Sequence, residues 1–330
     1  MTGHPGPRGA RRYPYDPITS PSPGRWPGGH GLAVYVAVGV EDYRPGDGHV
    51  EDLLPGVPQP DLVNEAWRDY GNRVGVFRLL DRLRAHGIPP TLLLNTGVYD
   101  AAPAVTDAAR AAGAELVGHG VSNSDSLADL PPGQERDYLE AVASRIEKEE
   151  GVRPGGWSSP WLTHTADTVD LLAATGYRYL LDLRADDRPV WLRAAAGPLL
   201  AIPYALELND STTMIGRQVD AATFADMIVD EFDELLAASE GQPLVMSVVL
   251  HSFVSGAPFR LRQVTRALEH LASRRDRAWF ARPGEIHDAF AALAPPPAGP
   301  TTVGGLNLGL GLGDGLGGLG GIDDLGGGDG

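Results

Sequence analysis

The chain has 330 residues, with 43 glycines, 28 prolines, no cysteine and a formal net charge of −16. The absence of cysteine excludes a disulfide framework, a thiolate zinc site and a cysteine nucleophile. The acidic balance argues against a nucleic-acid partner, because phosphates require a basic footprint. No stretch approaches the roughly 20 apolar residues that span a bilayer, and residues 1–25 lack the apolar core of a secretory signal. We therefore expect a cytoplasmic protein with no membrane partner.

Glycine is concentrated near the carboxyl terminus, and this divides the chain. Residues 296–330 consist almost entirely of Gly, Leu and Asp after a short Pro-rich start. Isolated leucines between glycines bury too little apolar surface to offset the chain entropy. We predict a disordered tail over 296–330, a disordered or extended arm over 1–27, and one folded domain over 28–295. Trp26 is a candidate clamp between the arm and the domain.

Short apolar strands alternate with amphipathic helices through the predicted domain. The β-branched run Leu32–Val38 is typical of a buried parallel strand, and Tyr70–His86 has helical spacing of its leucines. The alternation predicts a single-domain α/β fold, a distorted (β/α) barrel of about seven strands. The Pro-rich and acidic segment Tyr43–Trp67 is predicted to be an insertion. Whether it forms a lid, a subunit contact or a surface loop stays open from the sequence. The other predicted strands are Thr91–Asn95, Glu115–Gly118, Gly156–Ser159, Arg178–Asp182, Leu199–Pro203, Leu244–His251 and Ala278–Ala281, and the other predicted helices are Ala102–Ala112, Gln134–Glu150, Ala166–Thr175, Ala221–Ala238 and Leu261–Ser273.

Acids, histidines and tryptophans follow the predicted strands where each strand ends. In a parallel barrel the carboxyl ends of the strands carry the chemistry. A single carboxylate at such a position is ordinarily a helix cap, but many together predict one cleft. The strand-end residues are Glu41 and Asp42, His119, Ser158 and Trp161, Asp182 with Asp187 and Trp191, Asn209 and Asp210, and His251.

The order of these motifs resembles the polysaccharide deacetylases of carbohydrate esterase family four, and more closely their allantoinase and cyclic-imidase branch. The resemblance implies a hydrolase of a non-peptide carbon–nitrogen bond, either a deacetylase or a ring-opening amidohydrolase, with a small-molecule or carbohydrate-derived substrate. The segments that carry it are Glu41-Asp42, Tyr70-Gly71-Asn72-Arg73-Val74-Gly75, His119-Gly120-Val121-Ser122-Asn123, Ser158-Ser159-Pro160-Trp161, Asp182 with Asp186-Asp187-Arg188-Pro189-Val190-Trp191, Asn209-Asp210, and Leu250-His251 followed by Gly256-Ala257-Pro258-Phe259-Arg260.

The same resemblance implies roles for individual residues. The implied catalytic residues are Glu41, Asp42, His119, Asp182 and His251. The implied substrate-binding residues are Ser158, Trp161, Asp187, Trp191, Asn209, Asp210 and Arg260.

Two departures from the family pattern bear on a metal. Metal-dependent members hold a divalent ion with an acid and both histidines of His-x-x-x-His, but here Asn123 stands at the second histidine. An amide oxygen is a weak zinc ligand beside imidazole. Ser158 also stands where the family usually has arginine.

Three accounts of the chemistry stay open from the sequence. One is hydrolysis without a tightly bound metal, with Glu41, Asp42 or Asp182 as base and His251 as general acid. The second is a weak zinc site formed by Asp42, His119 and Asn123, with Glu41 as an alternative acid. The third is a barrel that has lost its chemistry and binds a small polar ligand. A homo-oligomer also stays open.

Overall fold

The computed structural model describes residues 12–54, 56–131 and 133–297. Apart from residues 296 and 297, the predicted tail lies outside these ranges. Within them the strands are β1 Leu32–Val40, β2 Pro90–Leu94, β3 Glu115–Gly118, β4 Gly156–Trp157, β5 Tyr179–Leu180, β6 Val190–Leu192, β7 Leu199–Ala201, β8 Leu244–His251 and β9 Ala278–Phe280. The helices are α1 Leu62–Tyr70, α2 Val76–Ala85, α3 Val98–Ala101, α4 Pro103–Ala111, α5 Glu135–Glu150, α6 Thr168–Ala174, α7 Ala221–Ala238, α8 Ser252–Ser255, α9 Pro258–Ala272 and α10 Pro283–Leu293.

The strands form one curled sheet in the order β6-β7-β5-β4-β3-β2-β1-β8, and β9 pairs with the start of β1. All pairs are parallel except β6 with β7. The far edge of β8 is covered by loop backbone, because Val245 N donates to Asp187 O and Val249 N donates to Leu208 O. The predicted (β/α) barrel is confirmed, and the sequence analysis missed the short antiparallel strand β6.

Alternate residues of the central strand β1 face two different cores. Val34, Val36 and Val38 pack outward against the helices. Ala33, Tyr35 and Ala37 face the inside of the curled sheet. Because side chains in a strand alternate with a period of two, the inner face continues through Gly39 to Glu41 at the end of β1. The strand therefore aims Glu41, and not Asp42, into the barrel.

The arm over residues 12–27 lies against the barrel and has no regular helix or strand before a short 3₁₀ turn at Pro27–Gly29. Arg12 holds Asp170 with two hydrogen bonds of 3.0 and 2.9 Å. Trp26 is buried, and its Nε1 donates to Leu244 O at 2.8 Å. Trp26 is the clamp of the arm, and it packs beside Phe290 of α10 at the amino end of the barrel.

The predicted insertion ends in a helix that the hydrophobic pattern does not reveal. In α1 the residues Leu62 and Val63 are exposed, whereas Asn64 and Arg68 are buried. The buried face of α1 is therefore polar. A π-helical turn, Gly71–Gly75, joins α1 to α2, so the helix that we predicted from Tyr70 is the second half of a longer one.

Candidate active site

Glu41, His119 and His251 meet at the carboxyl ends of β1, β3 and β8. The Glu41 Oε1 atom lies 3.3 Å from His251 Nε2 and 3.9 Å from His119 Nε2. The side chains of the three residues are only 3%, 11% and 7% exposed, in the order Glu41, His251, His119. Gly39 forms the floor, because a Cβ there would lie 2.9 Å from His251 Cδ2 and 3.4 Å from Glu41 Oε1. The cluster is therefore compact and nearly closed to solvent.

Asp210 holds the outer side of the His251 ring. Its Oδ1 lies 2.6 Å from His251 Nδ1, and both carboxylate oxygens accept from the His251 backbone N–H at 2.9 Å. The Ser255 hydroxyl donates to its Oδ2. His251 thus lies between two buried carboxylates, and Asp210, which was predicted to bind substrate, binds the histidine instead.

His119 is held in one orientation by a main-chain carbonyl. Its Nδ1 lies 2.7 Å from Ser158 O. A carbonyl oxygen only accepts, so Nδ1 carries the proton and the neutral ring leaves Nε2 as a bare lone pair facing Glu41. Asn95 fixes the strand tips around this ring, because its side chain accepts from Asp42 N and donates to His119 O.

The environment separates the protonation states of the two histidines. Burial lowers the pKa of His119 and outweighs the charge of Glu41. Burial also opposes a charge on His251, but Glu41 and Asp210 on either side raise its pKa well above the usual value. Burial alone would raise the pKa of Glu41, yet the charge and hydrogen bond of His251 lower it to about 2, with help from His119 and Tyr43. These pKa shifts favour a neutral His119, a protonated His251 and an ionised Glu41 between them.

This charge distribution predicts how stability depends on pH. His251 binds its proton more tightly in the folded chain, so its contribution to stability is complete below its unfolded pKa of about 6.5 and is lost as pH rises through the folded value. Above pH 6.5 we expect the loss of the His251 contribution to lower the free energy of unfolding by up to about 1.4 kcal/mol per pH unit. Urea unfolding at about pH 7 and pH 9 measures the slope, and His251→Gln should flatten it; an equal slope in the variant would contradict the pKa direction.

Asp182 is buried beside this cluster but has no free oxygen for catalysis. It accepts from the Ser158 hydroxyl at 3.0 Å and from Ser159 N at 2.9 and 3.0 Å. His164 Nε2 lies 2.8 Å from its Oδ2, and Asp182 raises the pKa of His164 against the effect of burial. Ser158 and Asp182 therefore support the backbone that orients His119. His164 was missed by the sequence analysis.

The residues proposed for a metal do not form a ligand set. Asp42 lies against Gly97, and its charged neighbours are Asp69, Arg44 and Asp100. Asn123 turns its amide nitrogen toward the Tyr43 hydroxyl at 2.8 Å. His251 has a carboxylate on each side of its ring, with Nδ1 2.6 Å from Asp210 Oδ1 and Nε2 3.3 Å from Glu41 Oε1. Over residues 12–54, 56–131 and 133–297 no group of three or more His, Asp or Glu is placed to hold a metal ion. Asp42, His119 and Asn123 as placed do not fit the weak zinc site that the sequence left open as one of three accounts.

Two residues that we predicted to bind substrate lie elsewhere in the fold. The backbone of Asp187 pairs with Val245, six residues before His251 in β8, which is roughly 20 Å along a strand. Trp191 donates to Ala294 O at 2.8 Å and packs on Phe290. Both line a groove of about 1390 Å³ between the arm and the end of α10. After β5 the chain runs along the edge of β8 to the amino end of that strand. The order of the motifs in the sequence does not predict this path.

The other predicted substrate-binding residues lie around the cluster. Trp161 donates to Asn123 O at 2.6 Å and adopts a left-handed φ of 58°. The Asn209 side chain accepts from Ser211 N and Thr212 N, so it shapes the loop before α7. Arg260 is half-buried near Asp210, and burial lowers its pKa. Trp161 and Arg260 are partly exposed, whereas Asn209 is buried.

Segment Tyr43–Trp67 covers one side of Glu41. A pocket of about 100 Å³ lies there, lined among others by Glu41, Asp42, Tyr43, Asn64, Arg68 and Asn72. The Tyr43 hydroxyl donates to Glu41 Oε2 at 2.6 Å, and Asn72 Nδ2 donates to Glu41 O at 2.8 Å. The first residue of the predicted insertion therefore belongs to the candidate site. Among the described residues no helix combines the length and apolarity needed to cross a membrane.

The chain is similar in sequence and fold to known polysaccharide deacetylases. Residues 68–180 match the family model for polysaccharide deacetylases. A Schizosaccharomyces pombe protein assigned to the polysaccharide deacetylases is 27% identical over 290 residues, which cover 81% of this chain and 88% of that protein. The peptidoglycan deacetylase of Helicobacter pylori is 23% identical over 272 residues, covering 73% of this chain and 91% of that protein.

The solved structure of Puue allantoinase superposes with a TM-score of 0.74 at 28% identity, covering 86% of this chain and 99% of that one. A Pseudomonas aeruginosa structure assigned to the polysaccharide deacetylases gives a TM-score of 0.73 at 26% identity, covering 86% and 99%. The resemblance inferred from the motifs is confirmed: residues 68–180 match the polysaccharide deacetylase model, and the chain as a whole is similar to enzymes that hydrolyse carbon–nitrogen bonds.

Proposed function

We propose that this protein hydrolyses a carbon–nitrogen bond of a small cyclic amide or ureide, with His119 as general base and His251 as general acid. The observation that carries the proposal is the placement of the two imidazoles on either side of Glu41 Oε1, at 3.9 and 3.3 Å, in surroundings that shift their pKa values in opposite directions. Titratable groups whose environments push their pKa values apart mark the acid and the base of a site.

The proposed reaction uses only groups of the cluster. The bare Nε2 of His119 takes a proton from a water that also donates to Glu41, and the hydroxide attacks the carbonyl carbon. As the carbon–nitrogen bond breaks, His251 Nε2–H protonates the leaving nitrogen. Glu41 Oε1 faces the Nε2 atom of both rings. The proton that His119 gained is passed through Glu41 Oε1 to His251 Nε2, which restores both rings to their starting states. The net change adds one water across the bond.

A small substrate is favoured by the enclosure of the site. The three reacting side chains are at most 11% exposed, and the adjoining pocket is about 100 Å³. A polymer needs an open groove, whereas this pocket, which is lined by Glu41 but by neither imidazole, has room only for a small group. Asp42 and Asp69 line the pocket together with Arg44 and Arg68, so the lining offers both acceptors and donors to the polar groups of an amide or ureide.

The direct test compares two amides of different size. Purified full-length protein is incubated separately with allantoin and with an N-acetylglucosamine oligosaccharide, and ring opening and acetate release are followed by proton NMR. We expect ring opening, with a bell-shaped pH dependence that falls at low pH as His119 gains a proton and at high pH as His251 loses one.

The outcomes separate the alternatives. Acetate release alone would retain carbon–nitrogen hydrolysis and overturn the small-ring substrate. Saturable binding of allantoin without turnover of either compound would favour a barrel that only binds a polar ligand. His251→Gln in the same assay should lower turnover by about 10²-fold or more.

A further inference from the structure

The geometry points to Tyr43 as a positioning residue of the site, which fixes the Glu41 carboxylate so that its other oxygen faces both imidazoles. Tyr43 lies at the start of a segment that the motifs leave without a role. Its effect rests on the proposed function, because Tyr43 touches none of the reacting atoms except through Glu41.

The Tyr43 hydroxyl uses its full hydrogen-bonding capacity. It lies 2.6 Å from Glu41 Oε2, and because a carboxylate only accepts, the hydroxyl proton is committed there. Its two lone pairs then accept from Asn123 Nδ2 at 2.8 Å and from the Arg68 guanidinium. Asn123 is thus held with its amide nitrogen toward Tyr43, which gives this residue a role other than that of a metal ligand.

The Tyr43 ring is held as firmly as its hydroxyl. The Arg68 guanidinium lies over the ring at 4.3 Å from its centroid, and Phe253 packs edge-on at 6.3 Å. Arg68 is itself buried and donates to Asn64 Oδ1 at 3.2 Å and to Glu51 O at 3.1 Å. The two ends of the predicted insertion, at Tyr43 and next to Arg68, are therefore tied together directly over Glu41.

This fixation decides where Glu41 points. The terminal torsion of a glutamate is broad and permits rotation of the carboxylate. With Oε2 bound to Tyr43, Oε1 stays 3.3 Å from His251 Nε2 and 3.9 Å from His119 Nε2. Without the hydroxyl the carboxylate is free to turn, and both the acid and the base lose their shared partner.

Tyr43→Phe tests this role, because it keeps the ring between Arg68 and Phe253 and removes only the hydroxyl. We expect kcat to fall by about 10- to 100-fold with KM changed less than about threefold, since the variant loses orientation and not binding. The matched control is Tyr70→Phe. The Tyr70 hydroxyl accepts from Arg78 Nη1 at 2.6 Å and has no hydrogen bond to the cluster, so its removal should leave kcat within about twofold.

A cycle with Glu41→Gln shows whether Tyr43 acts through Glu41. When Tyr43→Phe is added to the Glu41→Gln variant, loss of the hydroxyl should cost less than about twofold in kcat, because the carboxylate is already absent. An equal loss in both backgrounds, or an unchanged kcat in Tyr43→Phe alone, would overturn the inference. If Glu41→Gln itself stays active, the proposed function fails instead, so the two failures are distinguishable.

A second readout does not depend on turnover. The ring ¹⁵N shifts of His251, followed against pH, report how firmly Glu41 holds the imidazolium. In Tyr43→Phe we expect the midpoint of the His251 titration to move to lower pH. In Tyr70→Phe we expect the same midpoint as in the wild type. Identical titrations in all three proteins would contradict a positioning role, whichever substrate the enzyme uses.

Discussion

Glu41→Gln is expected to reduce turnover by about 10³-fold or more while the protein stays folded. The amide is nearly isosteric with the carboxylate, but it lacks the negative charge that the two imidazoles share through Oε1. His251 would then lose one of the two charges that keep it protonated. The acid of the proposed reaction is weakened, and the return path for the proton is removed.

Asp42→Asn is the matched control for this variant. Asp42 is the neighbouring carboxylate in the chain, but it faces Gly97 and its charged neighbours are not the histidines. Asp42 lines the pocket beside Glu41 but does not contact the histidines, so we expect the kcat of Asp42→Asn to stay within about threefold of the wild type and any loss to appear in KM. Rates are measured with whichever amide the wild type hydrolyses, and thermal unfolding shows that both variants are folded. A loss with Asp42→Asn as large as that with Glu41→Gln would show that the cluster is wrongly assigned.

The difference between these two acids shows what the sequence can predict. The β-branched run of β1 predicts a buried strand, and its two-residue period places Glu41 with Tyr35 and Ala37 on one face. Strand β8 pairs with β1 on one side, and β3 lies beyond β2 on the other, so the meeting of His119 and His251 at the same end of the curled sheet follows from strand order. The core of the site is therefore predictable from local pattern and fold class together.

The cover of the site is not predictable in the same way. Helix α1 buries Asn64 and Arg68 and exposes Leu62 and Val63, which reverses the usual hydrophobic pattern. Its stability comes from hydrogen bonds and ring contacts of Arg68 with Tyr43, partners that become neighbours only in the folded chain. No hydrophobic periodicity reports such an arrangement.

The positions of His164 and Trp191 could not be predicted from the sequence for a different reason. The loop before His164 passes through two non-glycine residues in the left-handed region, Trp161 at a φ of 58° and Leu162 at 54°. This turn brings His164 onto Asp182, and neither residue type favours it. Trp191 lies in an antiparallel strand of three residues, and its position in the motif order does not tell which end of the barrel it occupies.

Asp210→Asn is expected to lower turnover by about 10²- to 10³-fold at neutral pH and to move the alkaline limb of the pH profile to lower pH. Asp210 binds both the ring and the backbone of His251 and is itself fully buried. The neutral amide removes one of the two charges that raise the pKa of His251. The proposed reaction needs the protonated ring, so the active form is lost earlier as pH rises, and part of the activity should return on acidification.

The exposed pair Asp233 and His270 provides the control for this change. Asp233 Oδ1 lies 2.9 Å from His270 Nε2, a contact of the same kind at the surface on α7 and α9. Asp233→Asn should leave the pH profile unchanged, because an exposed pair contributes at most about 1 kcal/mol and lies outside the cluster. Profiles of kcat/KM against pH for the wild type and the two variants make the comparison. If Asp210→Asn lowered activity equally at every pH, Asp210 would only support the fold, and His251 would not be the proton donor.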